Sequence, residues 1–322
     1  MLPPWLKRLL QSLGVNPVRL EWKLRGWRDD LRRMRAPFVR WRQAVGYQHK
    51  YCSCGLLVDR HTKVCPHCGR NVGSRLSWQV SRALGLIVPS AGLGWGVFLL
   101  AIVTVFLAEI RMTQAAILFG VGGDEERWLI DKALTSLGAL RSRHVFAGEY
   151  WRLLSAALLH GSLIHILFNT IAISQLAPPI EQETRTWPFV VLVTVTQLGA
   201  AVASLVYYPL VYAAPTYSVG ASGVAFGLIG FGLAYTHRQT GASPLRDIYF
   251  KWAIYGLLFG IMAGADNAAH VGGLAVGAIL GATMPREAGG ARLATVWALL
   301  GAACLAAWAW TVFSMIRSAL PL

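Results

Sequence analysis

The sequence predicts an all-α polytopic membrane protein. Two observations carry that expectation: seven long apolar runs, and a charge distribution that divides the chain in two. Of 322 residues, 55% are hydrophobic and 14% charged, with a mean hydropathy of +0.48. Soluble domains carry about 25% charged residues. Residues 1–90 hold 17 Lys/Arg against 4 Asp/Glu, whereas the remaining 232 residues hold 13 against 11. A basic, polar head therefore precedes an apolar body. The 33 glycines suit that body, because membrane helices pack through small residues in a solvent as apolar as their side chains.

In the head, residues 1–48 form a basic amphipathic segment. Trp5, Leu6, Leu9, Leu10 and Leu13 share one helical arc, and Lys7, Arg8, Gln11 and Ser12 the other. Leu20, Leu24, Trp27, Leu31 and Met34 repeat the pattern among basic groups. Such helices lie on membrane surfaces or pack on their own domain, and the pattern allows both. The expected partner of the positive charge is anionic lipid rather than nucleic acid. The N-terminus lacks the features of a cleavable signal peptide, and Glu21, Asp29 and Asp30 argue against a transit peptide.

Residues 49–72 form a zinc-ribbon-like unit. Cys52-x-Cys54 and Cys65-x2-Cys68 are separated by ten residues, and the second pair stands in Cys65-Pro66-His67-Cys68-Gly69. Short turns of this kind aim two thiolates at one tetrahedral ion, so structural zinc is expected. The first pair is one residue tighter than the usual C-x2-C, and His49, His61 or His67 are substitute ligands. Disulfides are the alternative, disfavoured if the head faces a reducing cytoplasm. The ribbon's task is open: a cytoplasmic partner, a substrate tail, nucleic acid or a juxtamembrane cap. Cys304 lies in mid-span and reads as packing.

The apolar runs are 91–110, 151–177, 188–208, 218–236, 249–264, 266–284 and 292–316, each near the ~20 residues a bilayer core requires. Arg185, Arg238, Arg246, Arg286 and Arg292 fall in the same set of short loops as the basic head, and the opposing loops 209–217 and 265 lack Lys and Arg. The positive-inside rule then places the N-terminus in the cytoplasm and the 111–150 connection outside.

Polar side chains at membrane depth are costly and concentrate at functional sites. Here they gather at the outer ends of the second, fourth and sixth runs: His160, His165 and Asn169; Ser218 and Ser222, with Gly220 and Gly223 between and after them; Asp266, Asn267 and His270. One such residue would read as a helix contact, but three runs converging at one depth point to acyl-transfer chemistry. Ser222 is the candidate nucleophile and His270, on another run, the candidate base. Asn169, His165 and the Ser222 N–H are candidate donors to a developing oxyanion. His160 lies about 140° around a continuous helix from His165 at 100° per residue, so it needs another role. Gly223-x3-Gly227 and Gly273-x3-Gly277-x3-Gly281 allow close helix approach. Asp266 reads as a helix-start residue rather than a third catalytic member.

Over about residues 90–285 the sequence resembles the rhomboid family of intramembrane serine proteases. The resemblance is carried by Trp151-Arg152, His160-x4-His165-x3-Asn169, Gly220-Ala221-Ser222-Gly223 and Ala269-His270-x2-Gly273-x3-Gly277, in family order. It implies a rhomboid-like six-helix core over 90–285, with Ser222 as nucleophile and His270 as base. It also implies an oxyanion site of His165, Asn169 and the Ser222 N–H, Phe226 packed on the base, and Trp151 and Arg152 shaping the first loop. Glu181 matches an acid at the end of the second span. Substrates would be transmembrane proteins cut near the outer face of a bacterial cytoplasmic membrane, with no catalytic cofactor. Residues 286–322 add a seventh, C-terminal transmembrane helix to that core. The competing reading is a catalytically inactive rhomboid-like binding or escort factor. It is disfavoured because both Ser222 and His270 are present. A transporter would place ion-pairing charges in mid-span, where almost none occur.

Overall fold

The computed structural model describes residues 49–51, 57–59, 62–67, 69, 93–118, 123–285 and 291–320. The expected amphipathic segment 1–48, together with Cys52, Cys54 and Cys68, lies outside the described residues. Two compact units, Met1–Arg75 and Leu76–Leu322, are treated separately. In the first, β1 (His49–Tyr51) pairs antiparallel with β2 (Leu57–Asp59), His49 opposite Asp59 and Tyr51 opposite Leu57. Val58 and Cys65 are its buried apolar side chains among the described residues. No group of three or more metal-ligating side chains occurs among those residues, which include one of the four expected cysteine ligands.

The second unit is helical. It runs α1 (Leu93–Met112), α2 (Asp124–Leu137), β3 (Leu140–Arg141), α3 (Ser142–Phe146), α4 (Arg152–Ser155), α5 (Leu163–Thr184) and α6 (Thr186–Tyr212). It continues through β4 (Tyr217–Ser218), α7 (Ser222–Thr240), α8 (Pro244–Met262), α9 (Asn267–Thr283) and α10 (Ala291–Ala319). Among the described residues, α1, α5, α6 and α10 are long and apolar enough to cross a membrane, and α9 is a shorter apolar helix. Leu100, Leu107, Val206, Phe259 and Leu299 are exposed on outward helix faces. Exposed apolar faces of this extent suit lipid rather than water. Apolar helices and outward Leu, Val and Phe together fit a multi-pass membrane protein.

Two expected boundaries are corrected. The second apolar run does not form one helix from 151: α4 and a 3-10 turn (Ala156–Leu158) come first, and α5 begins only at Leu163. The break lies at Gly161-Ser162, where extended Ser162 accepts the His165 N–H on its hydroxyl at 3.2 Å. That is the N-cap arrangement that starts a helix. The fifth run likewise starts earlier than 249. Ser243 caps α8 through the Arg246 N–H at 3.3 Å, and Pro244 occupies the first turn.

Between α1 and α5 the described residues are tied together by buried polar contacts. Arg152 is 2% exposed and donates to Glu149 Oε2 at 2.7 Å, Thr135 O at 2.7 Å and Ala139 O at 3.1 Å. Burial raises the Glu149 pKa, yet hydrogen bonds from His144 and Arg152 outweigh it and hold the carboxyl below its ordinary range. Trp151 packs against Gly138, whose φ of +110° closes α2. Trp151 and Arg152 thus order the first loop.

The deepest packing joins α7 and α9. A Cβ at Gly273 would collide with the Gly223 carbonyl, one at Gly277 with the Gly227 carbonyl, and one at Gly281 with the Phe231 carbonyl. Backbone meets backbone along this line, so any side chain there must drive the helices apart. Replacing Gly277 with Val should destabilise the fold by about 1–3 kcal/mol or more, read as a lower unfolding midpoint in detergent. An unchanged midpoint would show that these two helices do not touch.

Candidate active site

Ser222 opens α7 and His270 lies in the first turn of α9, so the glycine contact between the helices sets their separation. Ser222 Oγ stands 2.9 Å from His270 Nε2, a normal hydrogen-bond distance. His270 is buried, whereas Ser222 is partly exposed and can be approached from outside. Two further contacts fix the imidazole. Phe226, one helical turn after Ser222, stacks on it with centroids 4.3 Å apart and planes inclined by 13°. Asn267 Oδ1 meets His270 Nδ1 at 2.8 Å.

That second contact decides the tautomer. Asn267 Nδ2 donates to the Leu257 carbonyl of α8 at 3.2 Å, which turns the amide oxygen toward the imidazole. An amide oxygen accepts only, so Nδ1 carries the proton and Nε2 is left as the acceptor facing Ser222. Sequence reasoning missed Asn267. The signal was its i, i+3 spacing to His270 on a helix face, masked because Asn at a helix start is commonplace. Gly256 and Gly260 of α8 were missed as well. A Cβ at Gly256 would lie 2.7 Å from Phe226 Cζ, and one at Gly260 would lie 3.2 Å from His270 Nδ1.

The α9 start is held by Asp266. Its Oδ1 accepts the Ala269 N–H at 3.0 Å, and its Oδ2 accepts the Ser204 hydroxyl at 2.5 Å. Asp266 therefore caps the helix that carries His270, and the group hydrogen-bonded to the ring is Asn267.

His165 and Asn169 project from α5, and Asn169 is buried. Both face Gly220: a Cβ there would lie 2.7 Å from His165 Cε1 and Nε2 and 3.6 Å from Asn169 Nδ2. Gly220 also has φ of +125° and donates its N–H to the Ala156 carbonyl at 2.8 Å, so glycine is needed for space and backbone alike. The loop before Ser222 is thereby pressed against two hydrogen-bond donors. His160 corrects the helical-wheel expectation. It precedes α5, is fully buried, and meets His165 edge-on with centroids 5.0 Å apart. Its backbone N–H donates to Glu109 Oε1 at 3.0 Å. A 100° step could not predict this, because no helix joins the two histidines.

Glu181, at the end of α5, accepts the Gly94 and Trp95 N–H groups at 2.9 Å each and the Thr186 hydroxyl at 2.8 Å. It caps α1, and Pro178-Pro179 leaves α5 unbroken around it.

Residues 147–287 match the Rhomboid domain family model. RHOMBOID-like protein 4 of Arabidopsis thaliana is 30% identical over 165 residues, covering 46% of this chain and 38% of that protein. Rhomboid protease GluP of Bacillus subtilis is 29% identical over 163 residues, covering 50% and 31%. Rhomboid protease GlpG of Pectobacterium atrosepticum is 31% identical over 137 residues, covering 41% and 48%. The chain thus spans about a third to a half of the length of these relatives. The domain match and the relatives together support the rhomboid family over residues 147–287, the stretch that carries Ser222 and His270.

Proposed function

We propose that the protein is an intramembrane serine protease that hydrolyses peptide bonds in or near transmembrane segments of membrane protein substrates. The observation that carries this reading is the 2.9 Å approach of Ser222 Oγ to His270 Nε2 across two helices. Ser222 Oγ attacks the scissile carbonyl carbon while its proton passes to His270 Nε2. The carbonyl oxygen becomes an oxyanion, received by the Ser222 N–H, the Asn169 amide and the His165 ring. The tetrahedral intermediate collapses, the C–N bond breaks, and His270 returns the proton to the departing amine. Water then attacks the acyl-serine ester by the same route in reverse order, releasing the carboxylic acid and the free hydroxyl. Asn267 and Phe226 act on the imidazole rather than on the substrate.

The topology that belongs with this reading has the basic head in the cytoplasm and Ser222 near the outer face, following the placement of Arg and Lys in short loops. The bilayer itself is a partner, since substrates reach Ser222 through it. In the first unit we infer a structural zinc held by Cys52, Cys54, Cys65 and Cys68. Its support is the turn at the second pair, where the Gly69 N–H donates to the Cys65 carbonyl at 2.9 Å and Gly69 has φ of +68°. Cys65 is buried, and the first pair falls in the chain joining β1 to β2. A zinc there would tie the two cysteine pairs together and leave catalysis untouched. The segment is also where a cytoplasmic partner would bind.

Detergent-purified protein should react with a fluorophosphonate at Ser222, and Ser222→Ala should abolish both labelling and cleavage of a model transmembrane substrate while the fold persists. Cleavage retained by that variant would reject the assignment. His270→Ala should slow cleavage by at least about 10²–10⁴-fold.

Asn267→Ala removes one neutral hydrogen bond of about 1 kcal/mol. Fluorophosphonate labelling of Ser222 should slow about fivefold, and Asn267→Gln should not restore it unless its longer amide still reaches Nδ1. Equal labelling rates in wild type and Asn267→Ala would mean that the ring is oriented by other contacts.

Replacing Cys65 and Cys68 with Ser should remove bound zinc, measured by elemental mass spectrometry, without abolishing proteolysis. Metal content unchanged by both substitutions would discard the ribbon.

A further inference from the structure

The loop between α1 and α5 encloses a second feature, away from Ser222. It is an open cleft of about 590 Å³ between α2, the α3–α4 segment and Ser318 at the end of α10. Its charge is unbalanced. Lys132, Arg141, Arg143 and Arg152 line it, against two carboxylates, Asp131 and Glu149. Both carboxylates are already engaged: Asp131 pairs with Arg141, and Glu149 takes Arg152 at 2.7 Å and His144 at 2.9 Å. Lys132 stands over the Trp128 ring at 4.7 Å, and Arg143 Nε donates to His144 Nε2 at 3.4 Å. Neither makes an ion pair among the described residues. Two positive charges are therefore presented to whatever enters.

The cleft also has a definite depth. α10 is 29 residues long and ends at Ala319. At 1.5 Å per residue it outreaches the ~30 Å hydrocarbon core. Ser318 thus marks the headgroup layer. Trp128 of the cleft lining, and Phe146 and Tyr150 close in sequence to lining residues of the same connection, are strongly exposed, which suits the aromatic belt at a membrane surface.

We propose that this cleft is a binding site for the phosphate group of an anionic phospholipid, held by Lys132 and Arg143 with Arg141 as a shared contact. A phosphodiester brings one negative charge and acceptor oxygens to two unpaired cations. Its acyl chains would continue into the hydrocarbon below a headgroup layer that the exposed Trp128, Phe146 and Tyr150 rings suit. A free phosphate offers the same headgroup chemistry without that anchor. The site also reaches the loop before Ser222. Arg141 pairs through its backbone with Tyr217 in the β3–β4 bridge, and its guanidinium lies 4.6 Å over the Tyr217 ring. Three residues later stands Gly220. A headgroup drawing on Arg141 therefore bears on a segment that the active site uses.

The test is full-length protein in nanodiscs of phosphatidylcholine alone or of phosphatidylcholine mixed with phosphatidylglycerol. The readout is local, because the basic head attracts anionic lipid too: amide hydrogen exchange over 128–145 and 216–221. Phosphatidylglycerol should slow exchange at least about threefold in both segments. Lys132→Gln with Arg143→Gln should erase that difference while leaving the unfolding midpoint and the phosphatidylcholine baseline unchanged. Exchange that slows equally in the double variant overturns the site. Equal protection by millimolar inorganic phosphate in phosphatidylcholine discs makes it a soluble-anion site and overturns the lipid assignment. Protection by an acidic peptide but not by phosphatidylglycerol would instead make it a contact for polypeptide.

Discussion

Two helices that touch through their backbones determine where Ser222 and His270 stand. Along α7 and α9 the carbonyls of Gly223, Gly227 and Phe231 face the Cα positions of Gly273, Gly277 and Gly281. In lipid there is little hydrophobic gain from bringing two apolar helices together, so contact must come from dispersion and weak Cα–H···O interactions at very short range. Glycine permits that range. Once the axes are this close, side chains in the first turn of each helix cannot avoid one another, and Ser222 and His270 are those side chains. Their hydrogen bond is a consequence of helix packing rather than of loop conformation. A site built on rigid elements also holds its geometry better than one built on a loop.

The third helix of this arrangement works indirectly. α8 supplies no reacting group, yet Gly256 makes room for Phe226, Gly260 makes room at His270 Nδ1, and the Leu257 carbonyl turns the Asn267 amide. Any bulkier residue at Gly260 would push against the pair that orients the base. Movement of α8 away from α9 would therefore loosen the imidazole before it disturbed Ser222. The two halves of the site depend on different helices for their order.

Much of this was legible in the sequence, and the failures have physical causes. Glycine spacing on the α7 and α9 segments was visible because GxxxG repeats state a packing distance directly. Gly256-x3-Gly260 carries the same signal, but no polar residue in that run marks it as part of a site. The second run was misjudged because hydropathy measures burial without saying in what. Residues 151–162 are apolar since they are buried in protein, and the break at Gly161-Ser162 depends on one hydroxyl meeting the His165 N–H. The His160 angle failed for the same reason. Asn267 was unreadable as a partner of His270 until the Leu257 carbonyl fixed its amide, and that contact comes from another helix.

The acidic residues make the same point from the opposite side. Glu109 and Glu181 are both buried, and in a hydropathy reading they count as expensive charges within or just beyond apolar runs. In the structure each meets backbone N–H groups that no carbonyl reaches: Glu181 takes those of Gly94 and Trp95 at the start of α1, and Glu109 takes that of His160. The first turn of any helix leaves such donors open, and where water is absent each one left unpaired costs several kcal/mol. A side-chain oxygen supplied from a neighbouring helix is thus an economical remedy, and it fixes one helix against another as it acts. The polar residues of this bundle divide on that basis. Those that meet backbone, Glu109, Glu181, Arg152 and Asp266, are explained by the need to satisfy peptide groups. Ser222 and His270 meet each other across two helices instead, with Ser222 partly exposed and no peptide group satisfied by the contact.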